Sequence, residues 1–208
     1  MSRHVETLAY HTHRLGLHGR VTGSHLTSMH SMDNYYVSKL MALMAEAQLG
    51  VVSNPLINIT IQGRHDTYPK RRGMTRVPEL MAAGLTVAFG HDCVMDPWYS
   101  LGSGDALEVA HMGLHVAQMT SRAGMQQCFD AITRNPARLL GLQGYGIEKG
   151  AHADFVLLHA KDPVEALRLK ATRLGVWRRG QRIASTPAPV ATLNVPGRPA
   201  STTLLSAR

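Results

Sequence analysis

The spacing of hydrophobic and polar positions over the first 92 residues predicts helices and strands in alternation. Apolar side chains recur at helical spacing, followed by a glycine, in three segments: residues 5–17, 35–49 and 77–83. Short apolar or β-branched runs predict three strands, at residues 20–25, 51–55 and 85–92. The polar stretch 58–73 is predicted to be a long loop. This alternation indicates a parallel sheet with crossover helices, which is an α/β fold.

Each of the three predicted strands has a polar side chain at its end or one residue before it, in order His25, Asn54 and Asp92. The carboxyl ends of parallel strands lie at one edge of a sheet, and the loops that follow them converge there. We therefore expect His25 and Asp92 to face one functional site.

The second half of the chain has a different pattern. After a predicted loop at 93–104, helical spacing covers three segments: residues 106–121, 126–133 and 136–140. Past Gly141 the pattern predicts strands at 154–158, 174–177 and 182–184, and a helix at 163–169. Gly180 is predicted to form a hairpin turn. From Thr186 onward, prolines and glycines predict a poorly ordered tail.

Composition is that of an ordinary globular chain of about one domain: 208 residues, 44% hydrophobic and 17% charged. No apolar run approaches the ~18–20 residues of a membrane span, and the first residues lack the apolar core of a secretory signal. Cys93 and Cys128 do not make a disulfide framework or a zinc knuckle. We therefore expect a cytoplasmic protein that does not contact membranes.

The net charge of +8 is confined to the end of the chain. All 14 Asp and Glu residues lie within residues 1–165, together with 14 of the 22 Lys and Arg residues. The eight remaining basic residues are spread over a predicted helix, a strand and the tail, so they form no stripe for a phosphate backbone. Only 5% of the residues are aromatic, which argues against a stacking platform for single strands. We expect no nucleic-acid partner.

Two histidine pairs have the spacing of metal ligands, but a surface interpretation is favoured for the first pair and a structural one for the second. His11 and His13 lie in a predicted helix, where residues two apart diverge by about 200°. His111 and His115 are four apart on a predicted helix, but no Glu lies between them as in zinc-binding helices, and no third ligand is identifiable.

The segment His91-Asp92-Cys93 places a carboxylate directly after an apolar strand. Such a carboxylate can hold a divalent ion and accept a proton from water; equally, it can cap the next segment or pair with an arginine. Cys93 has no identifiable activating base, so an inert or substrate-lining thiol is the favoured interpretation. Trp98 follows in the next loop, where an indole either walls a pocket for a flat ligand or packs in the core.

Several motifs together resemble cytosine deaminase of the amidohydrolase superfamily. Those of the first half are Val-Thr-Gly-Ser-His at 21–25, Gln-Gly-Arg at 62–64, Asp-Thr-Tyr-Pro-Lys-Arg-Arg-Gly at 66–73, Phe-Gly-His-Asp at 89–92 and Asp-Pro-Trp-Tyr at 96–99. Asn-Pro-Ala-Arg at 135–138 and Gly-Ala-His-Ala-Asp-Phe at 150–155 resemble the general C-terminal signature of the superfamily. The resemblance runs from about Ser2 to Thr186.

The resemblance implies an α/β fold: the C-terminal part of a metal-dependent (β/α)8 TIM barrel followed by the C-terminal strands of a small β-sandwich. Residues 1–140 would be the second half of the barrel, and residues 141–186 would belong to the β-sandwich. Residues 187–208 would form a flexible basic tail.

The resemblance also implies a reaction and its residues. Asp92 would bind one Fe(II) or Zn(II) ion per site and accept a proton from the hydrolytic water. His25 would polarise that water or stabilise the charge that develops at the attacked carbon. Trp98 and Cys93 would contact the substrate, a small nucleobase. Water would attack C4 of cytosine, and loss of ammonia would give uracil.

Two departures from the family pattern limit this prediction. The family's strand-one His-x-His pair, its strand-five histidine ligand and the glutamate after it have no counterpart here; they would lie before Met1. Working metal sites use about three protein ligands, so we expect the isolated chain to be inactive, or active only with an N-terminal partner.

The second departure is Cys93, which stands where the family usually has an acid. The pocket would be roomier and less polar, which favours 5-substituted pyrimidines such as 5-methylcytosine.

Two alternatives remain at this stage. One is a deaminase of another ring amidine, such as isocytosine or isoguanine. The other is a non-catalytic fragment, or a split-gene subunit that requires an N-terminal partner. Because a half-barrel exposes unpaired strand edges, we expect a homo-oligomer or association through that edge.

Overall fold

The computed structural model describes residues 3–200, which divide into two compact units between Leu142 and Gln143. The first unit contains a three-stranded parallel sheet, and the second contains a three-stranded antiparallel sheet. The prediction of a mixed α/β chain with a parallel sheet is therefore confirmed.

The first unit alternates strands with helices in the predicted way. Its strands are β1 (Thr22–Ser24), β2 (Gly50–Ser53) and β3 (Val87–Phe89). Its helices are α1 (His4–Arg14), a 3₁₀ helix (Thr27–Ser31), α2 (Asn34–Glu46), α3 (Pro55–Ile61), α4 (Val77–Ala82), α5 (Ala106–Val116), α6 (Arg122–Asp130) and α7 (Arg134–Leu139). The strands pair in the order β1-β2-β3, so consecutive strands are neighbours joined by helical crossovers.

The crossover helix α2 shows how the local sequence produces this arrangement. The Asp33 carboxylate accepts a hydrogen bond from the Tyr36 amide at 2.8 Å and so caps the first turn. Val37, Leu40 and Met44 recur at helical spacing on one face and are buried. That apolar face packs the helix against the core. The cap at its start and the apolar spacing along it therefore both favour a helix in this segment.

Helix α3 corrects the predicted polar loop at 58–73. The loop begins after Ile61 instead, because residues 55–61 are helical. Pro55 suits the first turn of this helix, since it has no amide hydrogen that needs a partner there. The segment lacks helical periodicity since four consecutive residues, Pro55–Asn58, are all buried. Two later boundaries also shift: α5 ends at Val116, and Ser121 caps the start of α6 by accepting a hydrogen bond from Gly124.

The two outer strands of the parallel sheet differ in how their edges are completed. At β3, the Phe89 amide donates to the Ala131 carbonyl at 2.7 Å, and the Asn135 side chain donates to the Val87 carbonyl at 2.8 Å. Strand β1 pairs with β2 and, within residues 3–200, with no strand on its other side. The open edge of this sheet is therefore at β1.

The second unit confirms the predicted elements after Gly141. It contains β4 (Phe155–Leu158), α8 (Pro163–Leu169), β5 (Arg173–Arg178) and β6 (Gln181–Ser185). The strands form an antiparallel sheet in the order β4-β5-β6, and Gly180 adopts a φ of 79° in the turn between β5 and β6. Phe155 and Trp177 stack across β4 and β5 with ring centroids 4.8 Å apart.

Residues 186–200 contain no helix and no strand, and their predicted flexibility stays a prediction. The last eight positions of the predicted tail, 201–208, lie outside the described residues. None of the helices within residues 3–200 combines the length and the apolar character that a membrane crossing requires.

Candidate active site

His25 and Asp92 follow the carboxyl ends of β1 and β3. The His25 amide donates to the Val52 carbonyl at 2.8 Å, which extends the pairing of β1 with β2 by one residue. Both His25 and Asp92 have positive φ angles, 70° and 66°, which bend the chain sharply out of the sheet. Non-glycine residues in this conformation are strained and concentrate at functional sites.

The two side chains meet at this edge of the sheet. His25 Nε2 lies 3.3 Å from Asp92 Oδ2, and the side chains are 38% and 36% exposed. An imidazole and a carboxylate are therefore held together in a position that solvent, or a small molecule, can reach. This pair can bind and orient a water molecule and can exchange protons with it.

Asn54, which follows β2, connects the other two strand ends. It is 3% exposed, and its side-chain amide donates to Ser24 Oγ at 3.1 Å. Gly90 leaves the space that this requires, because a Cβ at position 90 would lie 2.4 Å from Asn54 Oδ1. The three strand ends are thus fixed relative to one another beneath the His25–Asp92 pair.

Asn58 is a site residue that the sequence analysis missed. It lies in α3, is fully buried, and its Nδ2 is 2.9 Å from His25 Nδ1. The available signal is Asn54-Pro55, which ends a strand and also begins a helix. That helix brings Asn58 under the imidazole.

Cys93 is a neutral thiol at the edge of this site. Its hydrogen bond to the Asp96 carboxylate, together with burial and the negative charges of Asp92 and Asp96, raises the pKa of Cys93 to about 11. The backbone amide of Tyr99 and the Cys93 thiol both hydrogen-bond Asp96 and lower the pKa of its carboxyl group. Cys93 is therefore protonated at neutral pH, which suits the wall of a pocket and not a nucleophile.

Trp98 lies in the loop that follows Cys93, and its side chain is 73% exposed. Its backbone amide donates to Asp96 Oδ1 at 2.9 Å, as does that of Tyr99 at the same distance. The carboxylate of Asp96 therefore shapes this turn. Contact between Trp98 and a substrate ring stays a prediction.

His91 contacts the same loop at two points, the Cys93 carbonyl and Gly102. Its Nδ1 lies 2.8 Å from the Cys93 carbonyl, and its Nε2 is buried with no hydrogen-bond partner among the described residues. Gly102 packs directly against the ring: a Cβ there would lie 2.3 Å from His91 Cε1. The loop thus closes over His91 only because residue 102 has no side chain.

Replacing Gly102 with alanine is expected to destabilise the protein by about 1–3 kcal/mol more than replacing Gly104. Both glycines have positive φ, 90° and 74°, but a Cβ at Gly104 would meet nothing within 4 Å. Gly104→Ala therefore measures backbone strain alone, and Gly102→Ala adds the clash with His91. Urea unfolding of both variants tests this, and equal losses would contradict the packing described.

The described residues do not form a complete metal site. Within residues 3–200, no three His, Cys, Asp or Glu side chains are grouped so that they could hold a metal ion. His13 lies near His18 and Glu46, whereas the His11 ring lies against Tyr10. The His111 and His115 rings are 4.7 Å apart. The His25–Asp92 pair alone supplies fewer than the about three protein ligands of a working site.

A parallel sheet whose carboxyl edge carries a paired imidazole and carboxylate is the arrangement in which α/β proteins carry their functional sites. The chain belongs to the amidohydrolase family, whose model matches residues 1–184. The resemblance stated from the sequence motifs is confirmed by this match and by the relatives described next.

The chain is similar to the following three proteins. 5-Methylcytosine deaminase from Klebsiella pneumoniae, solved with 5-fluorocytosine, is 40% identical with a TM-score of 0.88; the match covers 91% of this chain and 46% of that one. Pterin deaminase of Rhizobium rhizogenes is 31% identical over 82% of this chain and 39% of the relative. An adenosine deaminase from Xanthomonas campestris with bound zinc is 21% identical over 82% of this chain and 38% of that one, with a TM-score of 0.59.

The chain spans less than half the length of each of these relatives. The first two are deaminases of different ring systems, a pyrimidine and a pterin. The chain therefore shares its family with deaminases of two different rings.

Proposed function

We propose that this chain supplies one part of the active site of a metal-dependent deaminase that hydrolyses the amidine of a nucleobase-like ring. The observation that carries the proposal is the 3.3 Å approach of His25 Nε2 to Asp92 Oδ2 at the carboxyl edge of a parallel sheet. Family membership supports it, because the sequence motifs of the resemblance include both residues.

The rest of the site would come from a complementary polypeptide segment. The alternation of β1, α2, β2, α3, α4 and β3 fits consecutive units of a (β/α)8 barrel, which requires about 250 residues in all. Strand β1 has an open edge at which a barrel would add its next strand. The antiparallel strands β4, β5 and β6 fit part of a small β-sandwich.

Asp92 would serve as one metal ligand and as the acceptor of a proton from water. An Fe(II) or Zn(II) ion, when bound, lowers the pKa of water so that a nucleophile is available near neutral pH. His25, beside it, would hold the water or the oxygen that develops charge at the attacked carbon. Addition of water to the ring carbon and departure of ammonia replace the amino group by a carbonyl oxygen.

The substrate that we favour is 5-methylcytosine, with cytosine as a poorer alternative. The relative from Klebsiella pneumoniae, 40% identical, is a 5-methylcytosine deaminase. Cys93 is a small, uncharged side chain directly after Asp92, and its hydrogen bond to Asp96 keeps it protonated. A neutral thiol can contact a methyl group without desolvating a charge, which a carboxylate at the same position could not do.

A second candidate substrate is a 2-amino-4-oxopyrimidine, the ring part of a pterin and the structure of isocytosine. The observation that favours it is the 31% identity to pterin deaminase of Rhizobium rhizogenes. In such a ring the amidine carbon lies at position 2, so the two candidates place the leaving amino group differently.

The test is ammonia release by this chain co-expressed with the part of 5-methylcytosine deaminase that it does not match. We expect the assembled complex to act on 5-methylcytosine and cytosine, and size-exclusion chromatography with light scattering should show the two polypeptides together. Activity on pterin or isocytosine alone would favour the second candidate. A complex that binds metal but releases ammonia from none of these rings would contradict the proposed function.

The substitution Cys93→Asp is expected to reduce the preference for 5-methylcytosine over cytosine about tenfold, because one methyl group in an apolar pocket contributes a factor of this order. The measurement is the ratio of kcat/KM for the two bases in the assembled complex. Cys128→Ser is the matched control, since Cys128 is a fully buried thiol of α6, outside the site. An unchanged ratio in Cys93→Asp would exclude Cys93 as the residue that accommodates the methyl group.

A further inference from the structure

The Asn58 side chain hydrogen-bonds the inner nitrogen of the His25 ring. Asn58 Nδ2 lies 2.9 Å from His25 Nδ1, while His25 Nε2 on the outer side lies 3.3 Å from Asp92 Oδ2. Asn58 is 0% exposed and is held in α3, whereas His25 and Asp92 are both partly open to solvent. The imidazole is thus fixed between a buried amide and an accessible carboxylate.

An amide NH₂ group can only donate a hydrogen bond, so it requires an unprotonated nitrogen at His25 Nδ1. The proton of the neutral imidazole must then be on Nε2. This places an N–H group, and not a lone pair, on the side that faces Asp92.

The opposite orientation of the Asn58 amide is less favourable. Asn58 Oδ1 is buried without a hydrogen-bond partner among residues 3–200, so the observed orientation leaves one acceptor unsatisfied. Rotation by 180° would aim Oδ1 at His25 and leave both N–H donors of the amide in that same unpartnered space. It would also put the proton on Nδ1 and turn the Nε2 lone pair towards the Asp92 carboxylate, which is repulsive.

We propose that Asn58 is a positioning residue that fixes His25 as the Nε2–H tautomer and aims this N–H at the space beside Asp92. Its catalytic meaning rests on the proposed function. In that reaction His25 is a hydrogen-bond donor to the oxygen of the water or of the substrate, and Asp92 is left as the proton acceptor. Asn58 acts on the chemistry only through the imidazole.

The experiment is ¹⁵N NMR of the full 208-residue chain with labelled histidine, recorded at about pH 8.5, where an ordinary histidine is neutral. The His25→Gln spectrum identifies the His25 signals. We expect Nε2 of His25 to resonate as a protonated nitrogen and Nδ1 as an unprotonated one. A protonated Nδ1 with an unprotonated Nε2 in the wild-type chain would overturn the proposal without any variant.

The variant Asn58→Asp tests the cause. A carboxylate of the same shape can only accept, so we expect Nδ1 of His25 to become protonated. Thr60→Val, a near-isosteric change on the same helix whose hydroxyl bonds the Leu56 carbonyl, should leave the His25 signals unchanged. If Asn58→Asp folds, as judged by the other histidine signals, and His25 keeps its wild-type pattern, Asn58 does not set the tautomer.

The NMR readout requires neither metal nor turnover, so it separates this inference from the proposed function. If the tautomer is as described and the assembled complex is inactive, only the proposed function fails. In an active complex, we expect Asn58→Asp to lower kcat at least tenfold while KM changes little, because the Asn58 side chain is fully buried beneath His25. A change in KM alone would contradict a role in positioning His25.

Discussion

Replacing Asp92 by asparagine is expected to lower kcat/KM of the assembled deaminase by about 10²–10⁴-fold, the usual contribution of a positioned acid or base. Asparagine has nearly the same shape, so the turn after β3 and the approach to His25 should persist. The substitution removes the negative charge and the basic oxygen that would take a proton from water. Loss of a metal ligand would add to the decrease.

The measurement is ammonia release from 5-methylcytosine and cytosine by wild-type and Asp92→Asn complexes at equal metal content. Asp130→Asn is the matched control: Asp130 lies in α6, is partly buried and is hydrogen-bonded by Gln126, outside the candidate site. We expect the control to stay within about twofold of wild type, as for a side chain that is not used in the reaction. An Asp92→Asn complex that retains more than a tenth of the wild-type activity would remove Asp92 from the proposed chemistry.

The position of Asp92 could be predicted from the sequence because its physical cause is local. An apolar run that becomes a fully buried strand, followed by a glycine and then a charged residue, is expected to place that residue at the carboxyl edge of a parallel sheet. The alternation of strand and helix patterns also predicts the order of the strands in the sheet, since short crossovers join neighbouring parallel strands. For this reason His25 and Asp92, 67 positions apart in the sequence, are expected at the same edge of the sheet, where their side chains lie 3.3 Å apart.

The contribution of Asn58 was not predictable in the same way. A seven-residue helix that buries four consecutive residues shows no amphipathic period, so the pattern of α3 resembles that of a loop. The hydrogen bond of Asn58 to His25 depends on how far the short helix α3 lies from the sheet, which the sequence pattern does not define. The contact of Gly102 with His91 is similar, because it depends on a loop whose path no periodicity describes.

The second large effect is expected at Phe89, the last residue of β3. Phe89 is 6% exposed, and its ring lies against Gly113 of α5, where a Cβ would come within 2.7 Å of Phe89 Cε2. Phe89→Ala removes this ring from the core and should destabilise the protein by about 3–5 kcal/mol. Urea unfolding followed by far-UV circular dichroism measures the loss. Tyr35→Ala, at a side chain that is 75% exposed, should change stability by less than about 1 kcal/mol.

A double-mutant cycle with Gly113→Ala shows whether the ring contact is the cause. In the wild-type background, the new methyl group clashes with Phe89, and we expect a loss of about 1–3 kcal/mol. In the Phe89→Ala background the clash is gone, and alanine is favoured over glycine within a helix by about 1 kcal/mol, so the same substitution should stabilise. The sign of the Gly113→Ala effect therefore reverses between the two backgrounds. The same loss in both would mean that the Phe89 ring is not what the Gly113→Ala methyl group meets.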